Sequence, residues 1–131
     1  MKPLFADTFY FQARFNPRDE HHERVLIWSR ECSAPIVTTE LVLIELANGM
    51  ARSRFRYLMR DFHLLLRKTA EIAPMTIARM DAAWALYYQH DDKSWSLTDC
   101  FSFVVMRERG LATALTNDRH FRQAGFEAVF A

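Results

Sequence analysis

The sequence predicts an α/β fold, a mostly parallel central sheet of about four to five short strands flanked by helices in three layers. Three observations carry this reading. Short apolar runs bounded by turn residues alternate with longer stretches of helical periodicity, the pattern of βαβ units. Half of the 131 residues are hydrophobic, enough to bury a real core. Only three glycines and four prolines interrupt them, too few for a turn-rich all-β design or a disordered chain. No linker, repeat or low-complexity tract divides the chain, so residues 1–131 read as one domain.

The elements follow in order. Pro3–Ala6 reads as a short buried strand that exits through Asp7-Thr8 into a helix over Thr8–Arg14. Asn16-Pro17 stops that helix, because the residue before a proline disfavours helical dihedrals. Pro17-Arg-Asp-Glu20 opens a second helix to about Arg30, with acids in the first turn where the helix dipole favours them. Pro35–Val37 is a second strand, and Thr38-Thr39 caps a helix through Ala47 that Asn48-Gly49 ends. From Ala51 a longer helix carries Phe55, Leu58, Met59, Phe62, Leu65 and Leu66 along one face.

Glu71–Met75 is a third strand, which Pro74 places at a sheet edge or a strand end. Thr76 caps a helix whose Ile77, Met80, Trp84, Tyr87 and Tyr88 form one apolar stripe. A polar loop, His90–Trp95, leads to Ser96-x-x-Asp99, a capping box before a helix that ends at Gly110. Leu111–Thr116 is a strand, Asp118–Ala124 a short helix, and Phe126–Phe130 the last strand.

Net charge is +1, so no global field advertises a nucleic-acid or membrane partner, and any basic surface is local. Cys32 and Cys100 lack metal-motif spacing and suit a reducing compartment. The amino terminus has one lysine and no sustained apolar stretch, which predicts no signal peptide. No segment approaches the roughly 20 apolar residues of a membrane span. The expectation is a soluble cytoplasmic protein.

Against this background the acids stand out. Asp7, Glu45, Asp99 and Asp118 each sit beside a strongly apolar segment, where an ionised carboxylate either shifts its pKa or finds a cation. Asp7 and Asp118 lie just past predicted strands, Asp99 in the first turn of a helix, and Glu45 inside a helix that follows a strand. In open parallel sheets ligands bind at the carboxyl ends of the strands, so the four can converge there. Each also has a structural explanation. Asp7 suits an N-cap, Asp99 the acidic half of the capping box, and Asp118 a turn or cap. Glu45 resists capping, but a helix in a small domain exposes one stripe and Glu45 can occupy it.

The ordered set resembles a known family. Asp7-Thr8, Thr39-x5-Glu45-Leu46, Ser96-Leu-Thr-Asp99 and Leu115-Thr-Asn-Asp118-Arg-His-Phe121 are similar to the PIN domain, particularly its VapC-type toxin nucleases. Pro17-Arg-Asp-Glu-His-His-Glu-Arg24 and Gly125-Phe126 extend the likeness over nearly the whole chain. The resemblance implies a PIN-like α/β fold and a Mg²⁺- or Mn²⁺-dependent endoribonuclease. It further implies a small antitoxin that blocks the site, and a homodimer. It carries the acidic quartet onto Asp7, Glu45, Asp99 and Asp118 as catalytic and metal-binding residues. Asp7 and Asp99 would be the main ligands, Asp118 a ligand directly or through water, and Glu45 a ligand or the group orienting the attacking water. Thr8 and Thr116 stand beside those acids as supporting residues. Oxygen-only ligands suit a hard divalent cation. Without metal, crowded carboxylates repel, so at least one pKa should rise and Asp118→Asn should raise metal-free stability while removing activity.

Arg52, Arg56, Arg60, His63 and Arg67 fall on one stripe of the predicted long helix, either a solvated face or a ridge gripping RNA phosphates or an acidic partner. His21, His22, His90 and His120 lack metal-ligand spacing and read as surface or local hydrogen-bonding residues. Trp84, Tyr87 and Tyr88 read as core or dimer surface, and Cys100 as an inert buried thiol.

The leading reading is therefore a toxin ribonuclease. Two alternatives keep the fold: a stand-alone nuclease for RNA processing or structured DNA, and a non-catalytic RNA- or protein-binding module. The intact acids oppose the last, since a polyanion binder gains nothing from four negative charges without metal. A receiver- or phosphatase-type phosphate-transfer fold is disfavoured. Asp7 has no partnering acid nearby, and no lysine ends a strand near the carboxyl terminus.

Overall fold

The computed structural model describes residues 1–131. Its five strands are β1 (Leu4–Ala6), β2 (Ile36–Thr39), β3 (Ala70–Ala73), β4 (Thr113–Leu115) and β5 (Glu127–Ala128). They form one sheet of order β3-β2-β1-β4-β5, parallel throughout. Seven helices flank it: α1 (Thr8–Phe15), α2 (His22–Glu31), α3 (Glu40–Met50), α4 (Met59–Thr69), α5 (Ile77–Gln89), α6 (Leu97–Glu108) and α7 (Arg119–Gln123). The predicted α/β class, strand count and parallel sheet hold.

The topology fixes where a site can form. From the central β1 the chain moves outward to β2 and β3, then returns on the other side as β4 and β5. The order reverses between β1 and β4, and at such a switch point the loops leaving the carboxyl ends diverge and open a crevice. Asp7 follows β1, and Thr116 to Asp118 follow β4.

The core explains the sequence's weight of aromatics. α6 is apolar nearly all round and is the most buried helix, enclosing Cys100, Phe101, Phe103, Val105 and Met106. Phe103 packs edge-on to Phe121 at 5.0 Å and to Trp95 at 5.0 Å, while Phe5 meets Phe121 from β1 at 6.2 Å. The Trp95 indole N–H donates to Gln123 Oε1 at 3.0 Å, tying the loop before α6 to α7.

Four expectations change. The second helix starts at His22, because Asn16 and Asp19 side chains accept the Arg18 and His21 amides and hold the intervening residues in turns. α3 runs past Asn48-Gly49 to Met50; Gly49 keeps an ordinary negative φ and does not cap. The long helix from Ala51 is broken. Residues 51–55 are turns, Arg56–Leu58 a 3₁₀ turn, and only Met59–Thr69 is α-helical. Arg52 and Arg56 therefore do not share a helix with Arg60, His63 and Arg67, and the predicted continuous stripe does not exist. On α5 the buried residues are Ala83 and Leu86, while Ile77, Trp84, Tyr87 and Tyr88 are exposed.

Candidate active site

Four acids from four segments line one cleft of about 440 Å³ at the switch point. Asp7, Glu45, Asp99 and Asp118 share its wall with Thr8, Gln12, Ser94, Ser96, Asn117, His120 and the one apolar residue, Phe9. No lysine or arginine lines it.

Each acid is held by a donor of its own. Asp7 stands at the N-cap position of α1, yet its side chain makes no cap bond. It accepts instead from the Thr116 hydroxyl, Oγ1 to Oδ2 at 2.9 Å, so the simple N-cap reading fails for this residue. Glu45 lies on the exposed side of α3, where Oε1 accepts the Thr8 hydroxyl at 2.5 Å. For Asp99 the capping box is real: Oδ2 accepts the Ser96 amide at 3.2 Å, and Ser96 Oγ accepts the Asp99 amide at 3.0 Å. Asp118 caps α7 through Oδ1, which accepts the His120 amide at 2.9 Å. Capping and a place in the cleft are thus compatible, because one carboxylate oxygen caps and the other is left over. Asp99 Oδ1, Asp118 Oδ2 and Glu45 Oε2 have no hydrogen-bond partner in the chain.

The electrostatics match a cation site. Burial pushes the Asp7 carboxyl up to about 7; the Thr8 amide and Thr116 hydroxyl oppose this, and Asp99 and Glu45 add repulsion. The Asp99 carboxyl also rises, again mainly through burial, with Asp118 repelling and His120 opposing. The expected rise is present, but desolvation outweighs crowding as its cause. A divalent cation would compensate both, and oxygen ligands with no competing lysine or arginine are the donor set that hard cations take.

His120 belongs to the cleft, which its sequence spacing did not reveal. Its Nδ1 lies 3.1 Å from Asp99 Oδ2 and 3.3 Å from Asp118 Oδ1. The signal available was its position two residues beyond an acid at the start of a short helix. His21, by contrast, pairs with Glu20, and the His22 ring contacts the Ala13 carbonyl, as local hydrogen-bonding residues do. Burial lifts the Cys100 thiol to about 11, which makes it a poor nucleophile beside Asp99. Arg52, Arg56, Arg60 and Arg67 all lie outside the cleft.

An acidic cleft at the switch point of this five-stranded parallel sheet is the architecture of the PIN domain. The PIN-domain pattern matches residues 5–127, and the chain belongs to that family. It is 30% identical over 129 residues, 96% of this chain and 97% of the relative, to the 23S rRNA-specific endonuclease VapC20 of Mycobacterium tuberculosis. The crystal structure of Mycobacterium tuberculosis VapC20, a toxin that cleaves the sarcin–ricin loop, superposes with a TM-score of 0.88 at 25% identity, covering 96% of this chain and 98% of that one. FitAcB from Neisseria gonorrhoeae shares the fold at a TM-score of 0.66 and 19% identity, over 98% of this chain and 96% of that one.

Proposed function

We propose that this chain is a metal-dependent endoribonuclease, hydrolysing RNA phosphodiester bonds at Asp7, Glu45, Asp99 and Asp118, and the toxin of a toxin–antitoxin pair. The carrying observation is the convergence of four acids from separate segments, Asp7 among them buried without a lysine or arginine to pair with.

Mg²⁺, or Mn²⁺ in its place, is the cation such carboxylates take, with substrate phosphate and water completing its shell. When bound it would activate a water for in-line attack and stabilise charge on the leaving oxygen. Asp7 and Asp99 are the main ligands in this reading and Asp118 a further one. Glu45 either binds the ion or orients the attacking water. The chain's own work is positioning: Thr116 holds Asp7, Thr8 holds Glu45, and Ser96 holds Asp99. Neutral donors on the rim, Gln12, Ser94 and Asn117, can bond phosphate or sugar oxygens without adding charge.

The identity to VapC20 makes 23S ribosomal RNA the first substrate to test. Purified protein should cleave it with Mg²⁺ or Mn²⁺ and not with EDTA, and Asp99→Asn should be inert. Equal cleavage by wild type and variant would refute the assignment.

The partners follow by the same reasoning. Arg60 and His63 border an apolar groove of about 380 Å³ between α3 and α4, and Arg67 continues its rim. Basic residues around apolar walls suit a protein segment better than RNA, so we assign Arg60 and Arg67 to the antitoxin. Arg52 and Arg56, on the turns after α3, remain free for RNA. The exposed Trp84, Tyr87 and Tyr88 of α5 pack on one another at 5.7–6.0 Å and offer the face of a homodimer. No helix is long and apolar enough to cross a membrane. With a ribosomal RNA as its proposed substrate, the chain would act in the cytoplasm.

A further inference from the structure

His120 is the only basic side chain in the cleft. A single ring nitrogen, Nδ1, faces Asp99 Oδ2 at 3.1 Å and Asp118 Oδ1 at 3.3 Å. An ionised carboxylate only accepts hydrogen bonds, so the bond to Asp99 takes the tautomer with the proton on Nδ1. Ligating atoms of Asp99, Asp118 and His120 all lie within 4.8 Å of one another, which by distance alone permits His120 as a third ligand. The hydrogen bonds argue otherwise. The two oxygens that Nδ1 faces are those already turned to the chain, one accepting the Ser96 amide and the other the His120 amide. Their opposite oxygens, Asp99 Oδ1 and Asp118 Oδ2, are left for an ion.

We propose that His120 is a positioning residue: its Nδ1, hydrogen-bonded to Asp99 and 3.3 Å from Asp118, holds the two carboxylates in place for a divalent cation and does not itself coordinate the ion. This rests on the metal-site reading above and adds to it a residue outside the acidic quartet. Donors behind ligating groups orient them, and their loss typically weakens metal binding about 10–100-fold.

The test is Mn²⁺ binding to the full chain, followed by the electron paramagnetic resonance of the free ion, for wild type, H120N and H120Q. Asparagine places a side-chain N–H near the position of Nδ1, and glutamine near that of Nε2. The expected result is H120N within about threefold of wild type and H120Q weaker by about tenfold or more, with unchanged circular dichroism. H120A replaces H120Q should the latter not fold. Spin-echo spectra of the wild-type Mn²⁺ complex should show no directly bound nitrogen. Equal affinity in all three proteins, equal loss in both variants, or a bound-nitrogen coupling would each overturn the positioning role while leaving the metal site intact. Failure of wild type to bind Mn²⁺ would overturn the metal site, and this inference with it.

Discussion

The Thr116 hydroxyl donates to Asp7 Oδ2 at 2.9 Å and accepts the Asp118 amide at 3.1 Å. One fully buried oxygen thus ties the acid after β1 to the acid after β4 across the point where the sheet order reverses. Thr116→Val keeps the shape and removes both bonds, leaving a buried carboxylate with one donor fewer. We expect a loss of roughly 1–3 kcal/mol in urea unfolding. Single-turnover RNA cleavage should fall about 10–100-fold, as for other groups that orient metal ligands. Thr116→Ser, which retains the hydroxyl, should recover most of the activity. Wild-type cleavage by the valine variant would remove Thr116 from the site.

Asp7 should make the metal-free protein sensitive to pH. Its folded carboxyl titrates near 7, above the ordinary 3.8, so the folded state holds the proton more tightly than the unfolded one. The stabilisation is complete below about pH 4 and is lost as pH rises toward 7, a swing on the order of 4 kcal/mol for a fully buried group. Asp99 adds to the slope in the same direction. Urea unfolding in EDTA should therefore show stability falling from pH 4 to 7, and Asp7→Asn should flatten most of that fall. Asp7 is the better subject for this test than Asp118, because Asp118 is one-third exposed and caps α7. A flat profile for wild type would show that Asp7 does not carry this proton.

What the sequence disclosed and withheld has physical causes. The strands and the acids past their ends were legible, because parallel strands are continuous apolar runs and a carboxylate beside one stands out. The break at Arg56–Leu58 was not. A 3₁₀ turn repeats every third residue and keeps the i, i+3 spacing that also marks an α-helix, so Phe55, Leu58 and Met59 read as one face with Phe62. On α5, hydrophobicity pointed to Trp84 and Tyr88. The interface with α6 instead took Ala83 and Leu86, and only the fold shows which face turns inward. His120 meets Asp99 across 21 positions, a contact that no local pattern encodes.

Gly49 shows why a helix can ignore a stop signal. Its backbone is ordinary helix, and an added Cβ would lie 2.8 Å from Gln12 Nε2, the mobile end of a long side chain. Gly49→Ala should gain up to about 1 kcal/mol of helix propensity. Displacing Gln12 offsets part of this, so we expect thermal stability at or slightly above wild type. Because Gln12 lines the cleft, the same substitution should raise KM for RNA more than it lowers kcat. A clear destabilisation would mean that Gln12 cannot move aside.

Arg60 and Arg67 offer a choice between two partners that salt can decide. Each phosphate contact on a single strand contributes a slope of about −0.7 in log affinity against log salt, so losing two RNA contacts would flatten the dependence by about 1.4. Both residues lie on α4 beside the apolar groove and outside the acidic cleft. The double reversal R60E/R67E should therefore leave the salt slope of RNA binding unchanged and cleavage near wild type. It should also weaken binding of the proposed antitoxin by about tenfold or more, chiefly through slower association at low salt. A flattened RNA slope with an unaffected antitoxin complex would reverse the assignment and make α4 part of the substrate path.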